Sequence, residues 1–458
     1  MAENTREIIL DTLLEMERGK DYSHRLVKAV LDKYDYLHPQ EKAFMKRVLE
    51  GTIERKLQLD YVLDQFSSVP VRKMKPLIRC LLRMSVYQIL YMDSVPDSAA
   101  CNEAVKLAVK RRFQNLRGFV NGVLRSVASG KDGIVWPDGD KEPLKSLSVM
   151  YSMPEWIVSM WLGEYGREIT AKLLKGLLEI HSVSIRFRTS LDKCARQEYI
   201  AQMEKSGVKV TPSPYLPYAY LLDHVEGVQS LPGYEEGAFT VQDVSSMLAV
   251  EAAGIHSGDM VMDICAAPGG KSLLAAEKAS LVLAGDISVS KLERMEENRG
   301  RMRAENLQLT QWDGCVYDSA RAETADVLLL DVPCSGLGVM GRKRDIKYNV
   351  SPESLASITQ LQKKIISNSW RYVKPGGILL YSTCTIRREE NEEMCRWICS
   401  EFPFEPSGME EFLPELLLEQ KKQLDNVVLK SDGSGIQLMP GFMETDGFYF
   451  ARLRRRTE

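Results

Sequence analysis

A rhythm that begins after residue 240 constrains this chain most. Five apolar runs, "DMVMDIC", "LVLAGD", "LQLTQWD", "DVLLLDV" and "GILLYST", alternate with helix-length stretches such as "SVSKLERMEENRGRMRA". Runs that are apolar throughout, and not only at every second residue, belong to strands buried on both faces. Helical crossovers between such strands make a parallel sheet. Residues 241–458 are therefore expected to form a doubly wound α/β domain, closed by a hairpin of "GIQLMPG" and "GFYFARLRR".

The start of the chain follows another period. In "REIILDTLLEMERG", "FMKRVLEGTIERKLQLDYVLDQF", "LIRCLLRMSVYQILYM" and "GFVNGVLRSVA" the apolar residues recur every three or four positions, which predicts an all-helical bundle over 1–140. The stretch "DGIVWPDGDKEP" reads as a linker. Between them and the sheet, residues 141–240 mix a helix, "PEWIVSMWLGEYG", with short β-like pieces, "VSIRFRTS" and "AYLLDHV", and are expected to form a small α+β adaptor.

Composition narrows the function classes. A length of 458 residues exceeds one ordinary core, in keeping with several domains. Nine cysteines without a C-x-x-C pair suggest neither a disulfide framework nor a zinc site, so no metal is expected and a reducing cytoplasm fits. No apolar stretch approaches the roughly 20 residues of a membrane span. A net charge of −3 gives no global sign of nucleic-acid binding, so any such surface must be local. The expected assembly is a monomer.

In an open parallel sheet the ligand lies beyond the carboxyl ends of the strands. The first loop there is "DICAAPGGKS", residues 263–272, in which Gly269 and Gly270 allow close approach of backbone N–H groups at a helix start. Cys265 stands where a phosphate-binding P-loop needs its first glycine, and G-x-G-x-x-G is absent. A cofactor without phosphate follows. Acids then end successive runs: Asp263, Asp286 about twenty residues after the loop, Asp313 and Asp331. Any one of them reads equally well as a helix cap. Together they describe S-adenosylmethionine, with Asp286 on the ribose hydroxyls and Asp313 toward the adenine amino group. The loop residues Cys265, Ala266, Ala267, Pro268, Gly269, Gly270 and Lys271, with Asp331, complete the expected cofactor site.

At this point three stretches carry a resemblance. "DICAAPGGKS", "LLLDVPCSGLG" and "LLYSTCTIRREENEE" resemble motifs I, IV and VI of the RNA cytosine carbon-5 methyltransferases of the RsmB/NOP/Sun family. "FTVQDVSSMLA" is similar to the family's segment before the first strand, and the helical start with "FVNGVLR" resembles a NusB-like RNA-binding domain. A NusB-like domain, an adaptor and a methyltransferase domain make the architecture of the Sun branch. The resemblance thus implies methylation of cytosine 967 of 16S ribosomal RNA. The chain departs from the family at Arg344, where a proline usually precedes "DIK".

The resemblance also implies the roles. Carbon 5 of cytosine is too weak a nucleophile to take a methyl group until a thiolate adds to carbon 6. Cys384 is the implied nucleophile, Cys334 the thiol that assists release, and Asp331 the acid against the target base. Lys271 is placed to contact Asp331 or the substrate pocket, the plainer alternative being a helix-surface lysine. The other cysteines, at 80, 101, 194, 315, 395 and 399, read as packing or surface thiols.

For RNA, residues 103–131 carry seven Lys or Arg against one acid, with Lys106, Lys110, Arg111, Arg112 and Arg117 clustered at a helix end. Arg342, Lys343, Arg344 and Lys347 are likewise suited to phosphate contacts. A solvated face is the competing explanation of both runs. The expectation is an S-adenosylmethionine-dependent ribosomal RNA methyltransferase. Two rivals are a relative acting on transfer RNA and an RNA-binding protein whose methyltransferase domain no longer turns over.

Overall fold

The structure, a computed structural model, describes residues 4–19, 23–179, 182–225, 227–425 and 435–457. It divides into two compact units: residues 1–178 with 340–349, and residues 179–339 with 350–458.

The first unit is helical: α1 (Thr5–Arg18), α2 (Ser23–Lys33), α3 (Pro39–Glu54), α4 (Lys56–Phe66), α5 (Pro76–Tyr91), α6 (Asp97–Lys110), α7 (Arg117–Gly130), α8 (Pro143–Met150) and α9 (Glu155–Leu178). The predicted three- and four-residue spacing has its cause in a shared core, where Leu10, Leu49, Leu63, Leu81, Val86 and Leu124 are fully excluded from water. The core helix α5 also carries charge inward: Arg83 forks onto Asp60 (2.6 and 2.7 Å) and reaches Glu17 (2.6 Å), so the buried guanidinium is paired on both sides. Within α9 the helix breaks at Gly166, whose φ of 76° lies where a side chain is strained.

The unit ends later than the linker suggests. Helices α8 and α9 belong to it, because the Ser152 hydroxyl accepts from the Leu57 and Gln58 amides of α4 (3.0 and 3.4 Å), and Gln58 donates to the Met150 carbonyl (3.3 Å). By compactness α8 and α9 are grouped with the first unit, while the strands of the expected 141–240 adaptor lie in the second.

The second unit begins with a four-stranded antiparallel sheet, order β2-β3-β1-β4, built from β1 (Val183–Phe187), α10 (Lys193–Lys205), β2 (Lys209–Pro212), β3 (Ala219–Asp223) and β4 (Phe239–Val241). Then come α11 (Val244–Ala252), β5 (Met260–Asp263), α12 (Gly270–Ala276), β6 (Leu281–Asp286), α13 (Val289–Met302), β7 (Leu307–Gln311) and β8 (Ala325–Asp331). After the short α14 (Ile346–Asn349), which sits in the first unit, follow α15 (Pro352–Ser369), β9 (Val373–Thr383), α16 (Glu392–Glu401), β10 (Phe404–Pro406), α17 (Glu415–Leu424), β11 (Ile436–Leu438) and β12 (Phe448–Arg455).

The larger sheet runs β10-β12-β9-β8-β5-β6-β7, with β11 paired to β12 as the expected hairpin. Strands β9, β8, β5, β6 and β7 are parallel, so their carboxyl ends share one edge. Their runs are apolar throughout because both faces are covered: Val261, Met262, Leu328, Leu329, Leu330 and Leu379 are all fully buried. Among the described residues no helix is long and apolar enough to cross a membrane.

Candidate active site

The parallel register decides which residues meet. Asp263, Asp331 and Thr383 end the adjacent strands β5, β8 and β9, and the loops that follow carry the cofactor motif and both singled-out cysteines.

At the first loop, Gly269 adopts a left-handed φ of 98°, and a Cβ there would meet Met295 at 3.2 Å. The Ala266 N–H donates to the Gly285 carbonyl (2.9 Å) and the Gly269 N–H to Ala266 (2.7 Å), which turns the chain into α12. Asp263 is fully buried. Ser272 donates to one of its oxygens (2.7 Å), while the other has no hydrogen-bond partner. Burial pushes the Asp263 carboxyl up to about 7, against the pull of Ser272 and Lys271. Cys265, in the same loop, has its thiol pushed up by burial.

Asp286 closes β6 with its carboxylate nearly buried, accepting the Ser288 N–H at 3.0 Å and facing Lys291 at 3.4 Å. Asp313 lies two residues beyond β7, in the loop and not on the strand, and accepts the Cys315 N–H at 2.9 Å.

Lys271 is buried on α12 and places Nζ 2.7 Å from Asp331 Oδ2 and over the Phe448 ring, so it is no surface lysine. Ser382 donates to the other Asp331 oxygen (2.9 Å). Three residues past Asp331, the Cys334 sulfur stands 3.1 Å from that of Cys384, and the Cys384 N–H points at it from 3.3 Å. Neither thiol is in a disulfide. The hydrogen bond with Cys384, and then burial, hold the Cys334 thiol well above its ordinary range. The two loops are locked together further on: Ser335 and Thr385 hydroxyls are 2.8 Å apart, and the Gly338 N–H donates to the Cys384 carbonyl (3.1 Å). A Cβ at Gly338 would fall 2.0 Å from the Gly447 carbonyl oxygen, so only glycine fits there. The remaining cysteines stand apart from this group: Cys80, Cys101 and Cys395 are buried, Cys194 exposed, and Cys315 and Cys399 half-buried.

Several members of the site carry no signal of their own in the sequence. Ser272, Ser382 and Thr385 find their partners through the meeting of strand ends, and Gln362 and Glu390 through the packing of α15 behind the loop. The sole hint lies in their place beside the singled-out residues.

The basic residues fare differently. Lys110 pairs with Glu7 (2.5 Å), Arg111 with Glu7 (3.2 Å) and Asp11, and Lys106 with Glu103 (2.8 Å). Arg112 and Arg117 are exposed. In the later run Lys343 is exposed and Arg342 half-buried. Arg344, however, pairs with Glu50 (3.3 Å) and Glu54 (3.0 Å), and Lys347 is buried, donating to the Glu54 carbonyl (2.9 Å). Burial lowers the Lys347 amine to about 7. These two side chains are held inside the helical unit and do not present themselves to a phosphate, contrary to what the charge run suggests.

Comparison with known proteins accords with this geometry. Residues 252–454 match the family model described as 16S rRNA methyltransferase RsmB/F, residues 3–129 match the NusB family, and residues 153–229 match the ferredoxin-like domain of RsmF/B-like methyltransferases. The chain is 34% identical, over 99% of both chains, to the probable ribosomal RNA small subunit methyltransferase B of Bacillus subtilis. It is 30% identical, over 91% of both, to ribosomal RNA small subunit methyltransferase B of Cronobacter sakazakii. The crystal structure of PH0851 superposes with a TM-score of 0.77 over 99% of this chain and all of that one, and at 24% identity this likeness bears on the fold alone. With two such relatives over nearly its whole length, the chain belongs to the RsmB/F family of 16S ribosomal RNA methyltransferases.

Proposed function

We propose that the protein transfers a methyl group from S-adenosylmethionine to carbon 5 of one cytosine in 16S ribosomal RNA, cytosine 967 by the family resemblance, through a covalent adduct with Cys384. The observation that carries this reading is the pair of cysteine sulfurs 3.1 Å apart and not joined in a disulfide, one residue past β9 and three past the Lys271-paired Asp331.

The residues at the strand ends suit the cofactor. A left-handed Gly269 that a Cβ would crowd, a nearly buried Asp286, and a buried Asp263 oxygen without a donor are what a ligand with hydroxyls, an amino group and a positive charge can use. Asp286 would take the ribose hydroxyls, Asp313 the adenine amino group, and the backbone of 265–270 the amino-acid end. Bound there, S-adenosylmethionine supplies an electrophilic methyl group.

The chain's own residues supply the rest. The Cys384 thiolate adds to carbon 6, forming a C–S bond and shifting the ring's electron pair onto carbon 5. Asp331, aligned by Lys271 and Ser382, hydrogen-bonds the base at a ring nitrogen that takes up a proton as negative charge develops on attack. Once carbon 5 is methylated a solvent water takes its proton, the C–H electron pair becomes the carbon 5–carbon 6 double bond, and the C–S bond breaks with its electron pair returning to the Cys384 sulfur. Cys334 keeps its proton in the resting site and can deliver it to the departing Cys384 sulfur. Bisulfite sequencing of ribosomal and transfer RNA from a deletion strain tests the target. Loss of one protected cytosine in 16S RNA is expected. Loss in a transfer RNA, or no loss anywhere, would contradict the proposal.

A further inference from the structure

Two buried side chains outside the reacting group grip the peptide units on either side of Cys334. Gln362, fully buried on α15, donates Nε2 to the Pro333 carbonyl (3.0 Å) and to Glu390 Oε2 (3.0 Å). Glu390, also fully buried, accepts the Ser335 N–H at that same oxygen (2.9 Å). The residue before the cysteine and the residue after it are thus tied to one polar pair.

Such a pair is costly in a protein interior. A carboxylate removed from water needs its partners to offset the loss of hydration, and apolar residues of equal volume would fill the space at lower cost. Arg387 approaches the other Glu390 oxygen only to 3.7 Å, and burial pushes the Glu390 carboxyl up. The Tyr381 hydroxyl fixes the Glu390 backbone by donating to its carbonyl (2.6 Å). What the pair does provide is a fixed main chain through residues 333–335, which leaves Cys334 only the rotation of its own side chain. The charged and titratable groups around that thiol are the Cys384 sulfur, the Glu390 carboxylate, Asp331 with its Lys271 partner, and the buried Tyr381 hydroxyl.

We propose that Glu390 and Gln362 are positioning residues that hold Cys334 beside the Cys384 sulfur for the release step. This rests on the role given to Cys334 above. The test is peptide-resolved alkylation of the nine cysteines by iodoacetamide across a range of pH, in the wild type, Glu390→Gln and Gln362→Met. Only the thiolate reacts, and tenfold in thiolate is one pKa unit, so loss of the Glu390 charge should speed Cys334 alkylation roughly fivefold at mildly alkaline pH while Cys315 and Cys399 keep their rates. Gln362→Met should also raise Cys334 reactivity, about twofold, by freeing the main chain. With RNA and S-adenosylmethionine present, both variants should accumulate a protein–RNA species stable to denaturing electrophoresis, as Cys334→Ala should.

Wild-type alkylation of Cys334 in Glu390→Gln would overturn the proposal. So would a rise at every cysteine in both variants, which would make the pair an ordinary core element. Accumulation in Cys334→Ala but in neither of the other two would also overturn it. If Cys334→Ala itself gave no adduct, the release role would fall, and the alkylation rates would still decide whether the pair holds the thiol.

Discussion

In the sheet-based unit, three stretches far apart in sequence bring Lys271, Asp331, Ser382, Cys334 and Cys384 into one hydrogen-bonded group, whereas in the helical unit two conspicuous runs of basic residues turn much of their charge toward neighbouring acids. The first set is placed by backbone register, since strands β5, β8 and β9 are parallel neighbours whose ends must coincide. The second is placed by side chains, and a long side chain chooses among acids that may lie anywhere in sequence. Arg344 is paired across 290 residues and Lys110 across 103. Motifs at strand ends therefore carry their geometry with them, and charge runs do not.

The comparison can be broken at either side. The largest effect is expected at Asp286. If a strand-end acid binds the ribose, Asp286→Ala should weaken S-adenosylmethionine binding by about 2 to 4 kcal/mol, roughly thirty- to seven-hundredfold in Kd, because two hydrogen bonds to a charged acceptor are lost. Calorimetry on the folded variant that returned the wild-type Kd would show that a strand-end position alone does not mark a cofactor residue.

Lys347 tests the other side. Its amine has a pKa of about 7 in the fold against an ordinary 10.5, so between those values the unfolded chain binds more protons and stability should rise with pH. Below about 7 the burial penalty is present in full. Lys347→Met should flatten that rise. At neutral pH it should leave the chain as stable or more so, by about 1 kcal/mol, a few degrees in melting temperature. A lowered melting temperature with the pH slope intact would mean that Lys347 is a charged residue after all.

The smallest effect concerns RNA. Arg112→Ala and Arg117→Ala should each reduce the log-log salt slope of RNA binding by about one unit, while Lys110→Ala and Arg111→Ala, already paired with Glu7 and Asp11, should change it by less. Equal losses at all four would show that the internal ion pairs open to let phosphate in.

Much of the candidate site's grouping is legible in the sequence, for specific reasons. Asp263, Asp286, Asp331 and Cys384 follow apolar runs, and only a parallel sheet brings such positions to a common edge. The hairpin partner of β12 was legible from its turn and its apolar flanks. The clamp on Cys334 was not, since nothing in the spacing joins Gln362 to Glu390. Its logic lies in a helix crossing behind the loop. Asp313 looked like a strand end because Trp312 extends the apolar run, yet β7 stops at Gln311. The grouping of α8 and α9 with the first compact unit was hidden for a related reason. The prolines and glycines of 132–143 do interrupt the helices, but what ties α8 and α9 to the first unit is hydrogen bonding from α4 to Ser152 and Met150, which no local composition reveals.

Denaturing electrophoresis of single-cysteine variants tests most directly whether Cys384 attacks the base and Cys334 helps release it. With 16S RNA substrate and S-adenosylmethionine present, Cys334→Ala should attack and methylate but stall, leaving a protein–RNA band that survives denaturation, while Cys384→Ala should give neither band nor methylation. A band from Cys384→Ala and none from Cys334→Ala would exchange the two roles and contradict the account.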